Sequence, residues 1–408
     1  MTSLDFEVDV LGPEAIRDPS GYFSRLRESA PVYWDPRYRS WLITGHSAIV
    51  EAIRDPRFSS DRVAPMIQNK LMGSDTDPAI RNAFEVLQHW MVFQDDPKHA
   101  RLRRLVSRTF TPRSIANIEP AIERKSHELA AALPRHGKFD LIAEFTYPLP
   151  VFVIAEMLGV PEADRANFKN WAEEIAPVIS GGLDDPSRYD RAGRAVADLV
   201  AFFSDLLDHY AANPADNLLT SLAASRVADE PLTQHEVLAF CTLLMFAGHE
   251  TTANLIASAM LALCRHPDQL DLLRHGKVPI ASAVEEFLRW DGPGKAITRV
   301  LAENVELDGQ QLLAGQRVFL ILAAANRDPA VFDDPDALRL DRDANKQLGF
   351  GGGAHFCLGA SLARLETRIA LPILLDALPN VRLSPGHELE WQQVLLTRGL
   401  KTLWLEVG

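Results

Sequence analysis

Phe350-Gly351-Gly352-Gly353-Ala354-His355-Phe356-Cys357-Leu358-Gly359 is the stretch on which the fold of this chain turns. Three consecutive glycines let a backbone approach something flat and close. One cysteine at the start of a predicted helix (358–378) stands where the helix dipole and nearby amides favour a thiolate. By themselves these residues allow several readings. A glycine turn ahead of a buried cysteine is one. A phosphate loop requires a Lys-Ser/Thr pair after the glycines, and none follows. Zinc requires three further ligands, and the sequence shows no second Cys/His cluster. A lone thiolate suits haem iron, which takes a single axial protein ligand.

The stretch meets every fixed position of F-G-x-G-x-H-x-C-x-G, and the chain thereby resembles the cytochrome P-450 family of haem-thiolate monooxygenases, soluble bacterial type. That resemblance implies haem b (iron protoporphyrin IX) as cofactor, Cys357 as the axial iron ligand, and Phe350 and Gly351 against the haem. The cysteine ligand is the family's known one and not a deduction from spacing.

Upstream, residues 237–264 are almost continuously apolar and exceed the ~20 residues that a bilayer requires. His249, Glu250, Thr251, Thr252 and Asn254 occupy the middle, and a central carboxylate is costly in hydrocarbon, so the reading is a long buried helix with a polar island. Cys241 and Cys264 would stand roughly 34 Å apart on it, too far to bond. Ala247-Gly248-His249-Glu250-Thr251-Thr252 can be read locally, with a Thr bonding back to a carbonyl and Gly248 allowing close packing. Yet a mid-helix glycine costs ~1 kcal/mol, and a buried acid beside it costs more. The family's A-G-x-[DE]-T motif implies a purpose: a local helix distortion where dioxygen sits, Ala247 and Gly248 beside the haem, Thr251 hydrogen-bonding the oxygen and Glu250 relaying protons. Proton delivery at a dry site needs such positioned groups.

Glu286 and Arg289 stand one helical turn apart, a spacing that on a solvated helix gives a weak ion pair. In the resembled family E-x-x-R is a buried structural pair, joined by an arginine corresponding to Arg342. The turn Asn326-Arg327-Asp328-Pro329 fits the family pattern too, whereas Leu338 and Gln347 stand where Phe and His are common. Between 98 and 113 there are six basic residues (Lys98, Arg101, Arg103, Arg104, Arg108, Arg113) and no acid. At about 100° per residue His99 and Arg103 share one helix face, while Arg101, Arg104 and Arg108 gather opposite. By the resemblance His99 and Arg103 pair with the haem propionates, together with Arg299 and His355. The outer arginines would receive an acidic electron-transfer protein.

Lys295 lies four residues before Arg299. If Arg299 faces the haem from an extended strand, alternation puts Lys295 and Ile297 on the same side. There Lys295 would read an acidic or hydrogen-bond-accepting group on the substrate, with Ile297 and Ala247 as further contacts. In the alternative, Gly292, Pro293 and Gly294 turn the strand so that Lys295 escapes to solvent or pairs with a propionate.

The rest of the chain fits a large globular protein. Its 408 residues carry 42 Lys+Arg against 55 Asp+Glu, a formal charge of −13, which argues against nucleic-acid binding by the whole surface. A hydrophobic fraction of 47% excludes disorder. Three scattered cysteines fit a reducing cytoplasm, and the first ten residues have no signal-peptide pattern. The expected fold is mainly α (α+β), one domain over 1–408. Small β-sheets are expected from 31–45, 291–325 and 380–408, with helical regions at 47–290 and 358–378. The 31–44 segment reads as a hairpin, and 394–396 with 402–405 as a closing one. The resemblance implies hydroxylation or epoxidation of a lipophilic small molecule with dioxygen. Electrons would come from a ferredoxin or flavodoxin with its NAD(P)H reductase, with no nucleic acid or membrane as partner. The rival readings are a peroxygenase and a non-catalytic haem sensor. The substrate-contacting loops are expected near 61–94 and 176–194.

Overall fold

Hydrophobic periodicity is realised mostly as helix. A computed structural model describes residues 6–63, 78–107, 110, 112–179, 187–225, 232–343 and 345–408. In chain order the main helices are α1 (Pro19–Ser29), α2 (His46–Arg54), α3 (Pro78–Gln88), α4 (Lys98–Val106), α5 (Pro112–Ala132), α6 (Pro148–Leu158), α7 (Asn167–Ile179), α8 (Arg188–Ala212), α9 (Gln234–Arg265), α10 (Ile280–Asp291) and α11 (Ala360–Ala377). The strands are β1 (Val32–Asp35), β2 (Ser40–Ile43), β3 (Phe58–Ser59), β4 (Gly137–Asp140), β5 (Ile297–Leu301), β6 (Val305–Leu307), β7 (Gln310–Leu312), β8 (Arg317–Leu320), β9 (Val381–Leu383) and β10 (Trp404–Val407).

Contacts divide the chain into two units, each discontinuous in sequence. One gathers Met1–Ser59, Glu119–Leu149 and Thr251–Gly408, and the other Ser60–Ile118 and Pro150–Glu250. No Pro/Ser/Gly linker marks the division: three of its four boundaries fall inside helices α5, α6 and α9, and the fourth directly follows β3.

The first unit is built around a five-stranded sheet in the order β1-β2-β8-β5-β3, with β2 and β8 parallel and the other neighbours antiparallel. Alternation decides which core each side chain joins. Trp41, Ile43, Val318 and Leu320 pack with Ile49 and Ala52 of α2. Leu42, Phe319 and Ile321 point the other way, onto Tyr22, Phe23 and Leu26 of α1. Both faces are therefore dry, and β2 is buried along its whole length. The β6–β7 hairpin turns at Asp308-Gly309, both at positive φ (50° and 70°), a pair suited to a tight two-residue turn.

Two strand assignments differ from the sequence reading. The 47–290 region holds β3 and β4 among its helices. The tail makes no hairpin between 394–396 and 402–405: β10 pairs with β4 on one side and β9 on the other. Its strand partners are thus supplied from 137–140 and 381–383, neither adjacent in sequence.

In the second unit α3, α7 and α8 pack together. Its core includes Trp90, which stacks on Phe93, contacts Phe246 and donates to Thr242 Oγ1 at 2.8 Å. Helix α9 begins with a capping box: Thr233 N–H donates to Glu236 Oε2 (2.8 Å) and Glu236 N–H to Thr233 Oγ1 (3.2 Å). Among the described residues no helix is long and apolar enough to cross a membrane.

Candidate active site: a cysteine loop and the polar centre of a helix

The candidate residues divide between the two units. In the first, 349–359 forms a tight turn ahead of α11. Gly351 and Gly353 adopt positive φ (67° and 60°), and a Cβ on Gly353 would lie 3.1 Å from Ile53 of α2, so this glycine serves both turn and packing. Cys357 N–H donates to Phe350 O at 3.0 Å, which fixes the loop just before the helix. Cys357 is exposed, whereas Cys241 is buried and Cys264 half-buried. Burial pushes the Cys264 thiol up to about 11 and the Cys241 thiol higher still, so neither is a ready thiolate. His355 ends the short 3-10 turn Gly353–His355.

Beside the loop is a set of groups of which the sequence reading noted only Gln347. Arg364, on α11, holds its guanidinium over the Phe350 ring, 4.6 Å from the centroid. It donates to both oxygens of Glu285 on α10 (2.5 and 2.9 Å). Gln347 Nε2 donates to the same carboxylate at 3.1 Å, and Gln347 Oε1 accepts the Gly349 N–H. Burial pushes the Glu285 carboxyl up, but the bonds from Arg364 and Gln347 outweigh it and hold the group below its usual range. The available signal was Arg364 seven residues after Cys357, about one turn into the helix that the cysteine precedes.

Glu286, Arg289 and Arg342 meet in the interior. Arg289 forks onto Glu286 (2.8 and 2.7 Å) with both side chains fully buried, and Arg342 Nε approaches the two Glu286 oxygens at 3.2 and 3.1 Å. Arg289 also donates to the carbonyls of Asn326, Pro335 and Ala337 (3.0, 2.7 and 2.9 Å). A buried pair with this many partners braces the 326–342 segment, unlike a solvated i,i+3 pair. Leu338 is buried beside it without needing the larger Phe.

Arg299 lies in β5 opposite Val318, 7% exposed, with Nη1 donating to Thr298 O (2.9 Å). Ile297, on the same side by alternation, packs partly against the α2 core. Lys295 does not escape to solvent. It is 2% exposed and donates to Val394 O at 2.9 Å, while its backbone is held by Leu396 O and by Ala323 N–H. Burial, with Arg398 nearby, pushes its ammonium down to about 7, partly offset by Asp291. The solvent route is closed because Gly294 pairs with Thr397, laying 293–296 against the 394–398 segment.

In the second unit His99 and Arg103 lie one turn apart on α4. His99 is 2% exposed, with Nδ1 3.4 Å from Asp96 Oδ1, and burial lowers its pKa. Arg101, read as an outward docking residue, pairs instead with Glu236 at 2.6 Å and so ties α4 to the cap of α9. Burial raises the Glu236 carboxyl, but the Thr233 amide and Arg101 together hold it low. Arg104 is exposed. Arg108, the Arg113 side chain and parts of the expected substrate loops (64–77 and 180–186) lie outside the described residues.

The polar island sits in an unbroken α-helix. The distortion expected near Gly248 does not interrupt α9, which is helical from Gln234 to Arg265. Gly248 instead admits a neighbour: a Cβ there would come within 2.9 Å of Ile154 on α6. In a helix otherwise buried from Val237 to Leu263, Ala247 is exposed and Gly248, Glu250 and Thr251 are half-buried, whereas Thr252 and Ala253 are buried. Ala247, Gly248 and Thr251 form one i, i+1, i+4 stripe of small residues. His249 is fully buried, its Nδ1 2.7 Å from Met245 O, and burial pushes its pKa down to about 4, leaving the ring neutral at pH 7.

The donor set suits an iron porphyrin. It offers one accessible thiol for the metal and, in the same unit, the Arg299 guanidinium and His355 imidazole for carboxylates. Among the described residues no group of three or more His, Cys, Asp or Glu is placed to hold a metal ion.

Comparison with known proteins agrees. A family model described as Cytochrome P450 matches residues 189–276 and 277–388. The chain is 41% identical to the vitamin D(3) 25-hydroxylase of Pseudonocardia autotrophica over 96% of its length and 94% of the relative's. It is 39% identical to the cytochrome P450 monooxygenase PikC of Streptomyces venezuelae, covering 97% and 93%. Among solved structures, P450BioI bound to an acyl carrier protein carrying hexadec-9Z-enoic acid superposes with a TM-score of 0.88 at 32% identity, covering 97% and 99%. A cysteine loop of this chemistry, the buried Glu286–Arg289 pair and near-complete alignment with such relatives place the chain in the cytochrome P450 family.

Proposed function

We propose that this cytochrome P450 monooxygenase holds haem b through Cys357 and oxidises a lipophilic small molecule with electrons from a ferredoxin or flavodoxin and its NAD(P)H reductase. The family supplies the reaction class: one atom of dioxygen enters an organic substrate and the other leaves as water. The observation that carries the cofactor reading is the exposed Cys357 thiol, its loop pinned by Phe350 O at the mouth of α11. When bound, haem supplies a one-electron-reducible iron at which dioxygen is activated.

The remaining work belongs to side chains. Arg299 and His355, with His99 and Arg103, hold the propionates by charge-assisted hydrogen bonds. Phe350, Gly351, Ala247 and Gly248 contact the haem. Glu250 carries protons inward and Thr251 donates at the reacting oxygen, while the neutral, carbonyl-bonded His249 takes no part. Ala247 and Ile297 face the substrate. Lys295 acts behind them, fixing Val394 rather than reading the substrate directly. Relatives named for vitamin D(3) and crystallised with a hexadecenoyl chain support a substrate with a large hydrocarbon body. Cysteine usage supports a cytoplasmic location.

The test is direct. Cys357→Ser and Cys357→His should abolish the red-shifted carbonyl spectrum of the reduced protein. An unchanged spectrum in either variant overturns the haem-thiolate assignment.

A further inference from the structure

Seven residues after Cys357, Arg364 places a cation over the ring of Phe350, whose carbonyl accepts the Cys357 N–H. Glu285 engages that cation with both oxygens, and Gln347 steadies Glu285 while its own carbonyl is fixed by Gly349 N–H. The fork lies in the first unit and joins α10, the loop and α11. The ion pair is about one-third exposed (31% for Arg364, 28% for Glu285), so solvent weakens it without abolishing its field. The Glu285 hydrogen bond holds the Arg364 guanidinium protonated, against the opposing effect of burial.

We propose that Arg364 and Glu285 form an opposed pair of fixed charges that sets the reduction potential of the bound haem, Arg364 raising it and Glu285 moderating it. The proposal rests on Cys357 as iron ligand. The step concerned is the uptake of one electron by the iron, ferric to ferrous, with no bond made or broken and no proton moved. Added electron density beside the thiolate is stabilised by the Arg364 cation and destabilised by the Glu285 anion. Arg364 therefore acts as a positioning residue through the cysteine loop and touches neither substrate nor oxygen. Gln347 gives the arrangement a neutral clamp: a charged side chain at 347 would add its own field, whereas the amide bridges Gly349 and Glu285 without one.

The test is a spectroelectrochemical titration of the haem-loaded protein, with dithionite as reductant, on Arg364→Met, Arg364→Lys, Glu285→Gln and the double variant. Each is first checked for the red-shifted carbonyl band. Arg364→Met should lower the reduction equilibrium constant about three- to tenfold, tenfold being ~59 mV for a one-electron couple. Glu285→Gln should raise it by a similar factor, Arg364→Lys should stay near the wild type, and the double variant should return toward it. The shifts should shrink at high salt. Opposite signs separate a field effect from loosened packing, which would move both single variants the same way. Same-sign shifts, no shift with the band intact, or Arg364→Lys behaving as Arg364→Met would each overturn the proposal. Absence of the band in the wild-type protein would overturn the cysteine assignment instead. Should Arg364→Met lose the band, the sign of Glu285→Gln alone decides.

Discussion

At the residue scale, Thr251 and Lys295 separate reactive from structural polarity. Thr251 is half-buried on the small-residue stripe of α9, and the role proposed for it is donation at the reacting oxygen. Thr251→Ala should keep haem and substrate binding but divert reducing equivalents to hydrogen peroxide, read as peroxide formed per NAD(P)H consumed. Positioned acid–base groups are worth ~10²–10⁴-fold, although a replacement water can recover part of that. Normal coupling would refute the role. Lys295 is a different case, because its ordinary value of 10.5 falls to about 7 in the fold. Between these values the unfolded chain holds a proton that the folded one lacks, so stability rises with pH across the window and is lost as pH falls toward 7. At ~1.4 kcal/mol per unit, the contribution amounts to a few kcal/mol. Lys295→Met should be relatively more stable near pH 7 and lose this slope, measured by urea denaturation from pH 6.5 to 10. Parallel curves for variant and wild type would contradict the assignment.

At the element scale, α11 carries a second buried charge question. Leu362, Glu366 and Ala370 form one buried i, i+4 stripe, and Glu366 is 1% exposed with no hydrogen-bond partner for Oε2 among the described residues. Burial raises its carboxyl well above the ordinary 4.5. Here the folded state holds the proton more tightly than the unfolded chain. The contribution is complete below about pH 4.5 and is lost as pH rises toward the folded value. Glu366→Gln, neutral and nearly the same shape, should flatten that decline, so its Tm advantage over wild type should grow from pH 4.5 to 8. A constant difference between the two would show that Glu366 ionises normally. The same helix illustrates what a local reading hides: the sequence announced a helix over 358–378 but not that an acid would lie on its buried face.

At the scale of the whole molecule, the first unit has to join segments hundreds of residues apart, and Arg398 does much of the joining. It pairs with Asp291, the last residue of α10, donates to Ile16 O at 2.8 Å, lies 3.5 Å from the Trp391 ring centroid and is 8% exposed. Removing Arg398 leaves the half-buried Asp291 charge uncompensated, at less than the about 3–5 kcal/mol of a fully buried pair. Arg398→Met should lower the urea midpoint with little change in slope and expose 6–29 to limited proteolysis. Because Arg398 also depresses the Lys295 pKa, the effects of Arg398→Met and Lys295→Met should not add. Additive losses would show the two sites to be independent.

The sequence by itself determined the chemistry-bearing loop, the long helix α9, the E-x-x-R pair and the hairpin β1–β2. Each is written in short-range spacing, where a turn, a cap or a periodicity acts within a few residues. Only the tertiary structure decided that Arg101 belongs to the cap of α9, that Lys295 ends on Val394 O, that β10 finds β4 and β9, and that Arg364 and Glu285 meet beside the Phe350 ring. A long side chain has many reachable partners and a strand edge many possible neighbours. The choice among them follows from which segments are brought together and dried, a property of the packed chain that no local window contains.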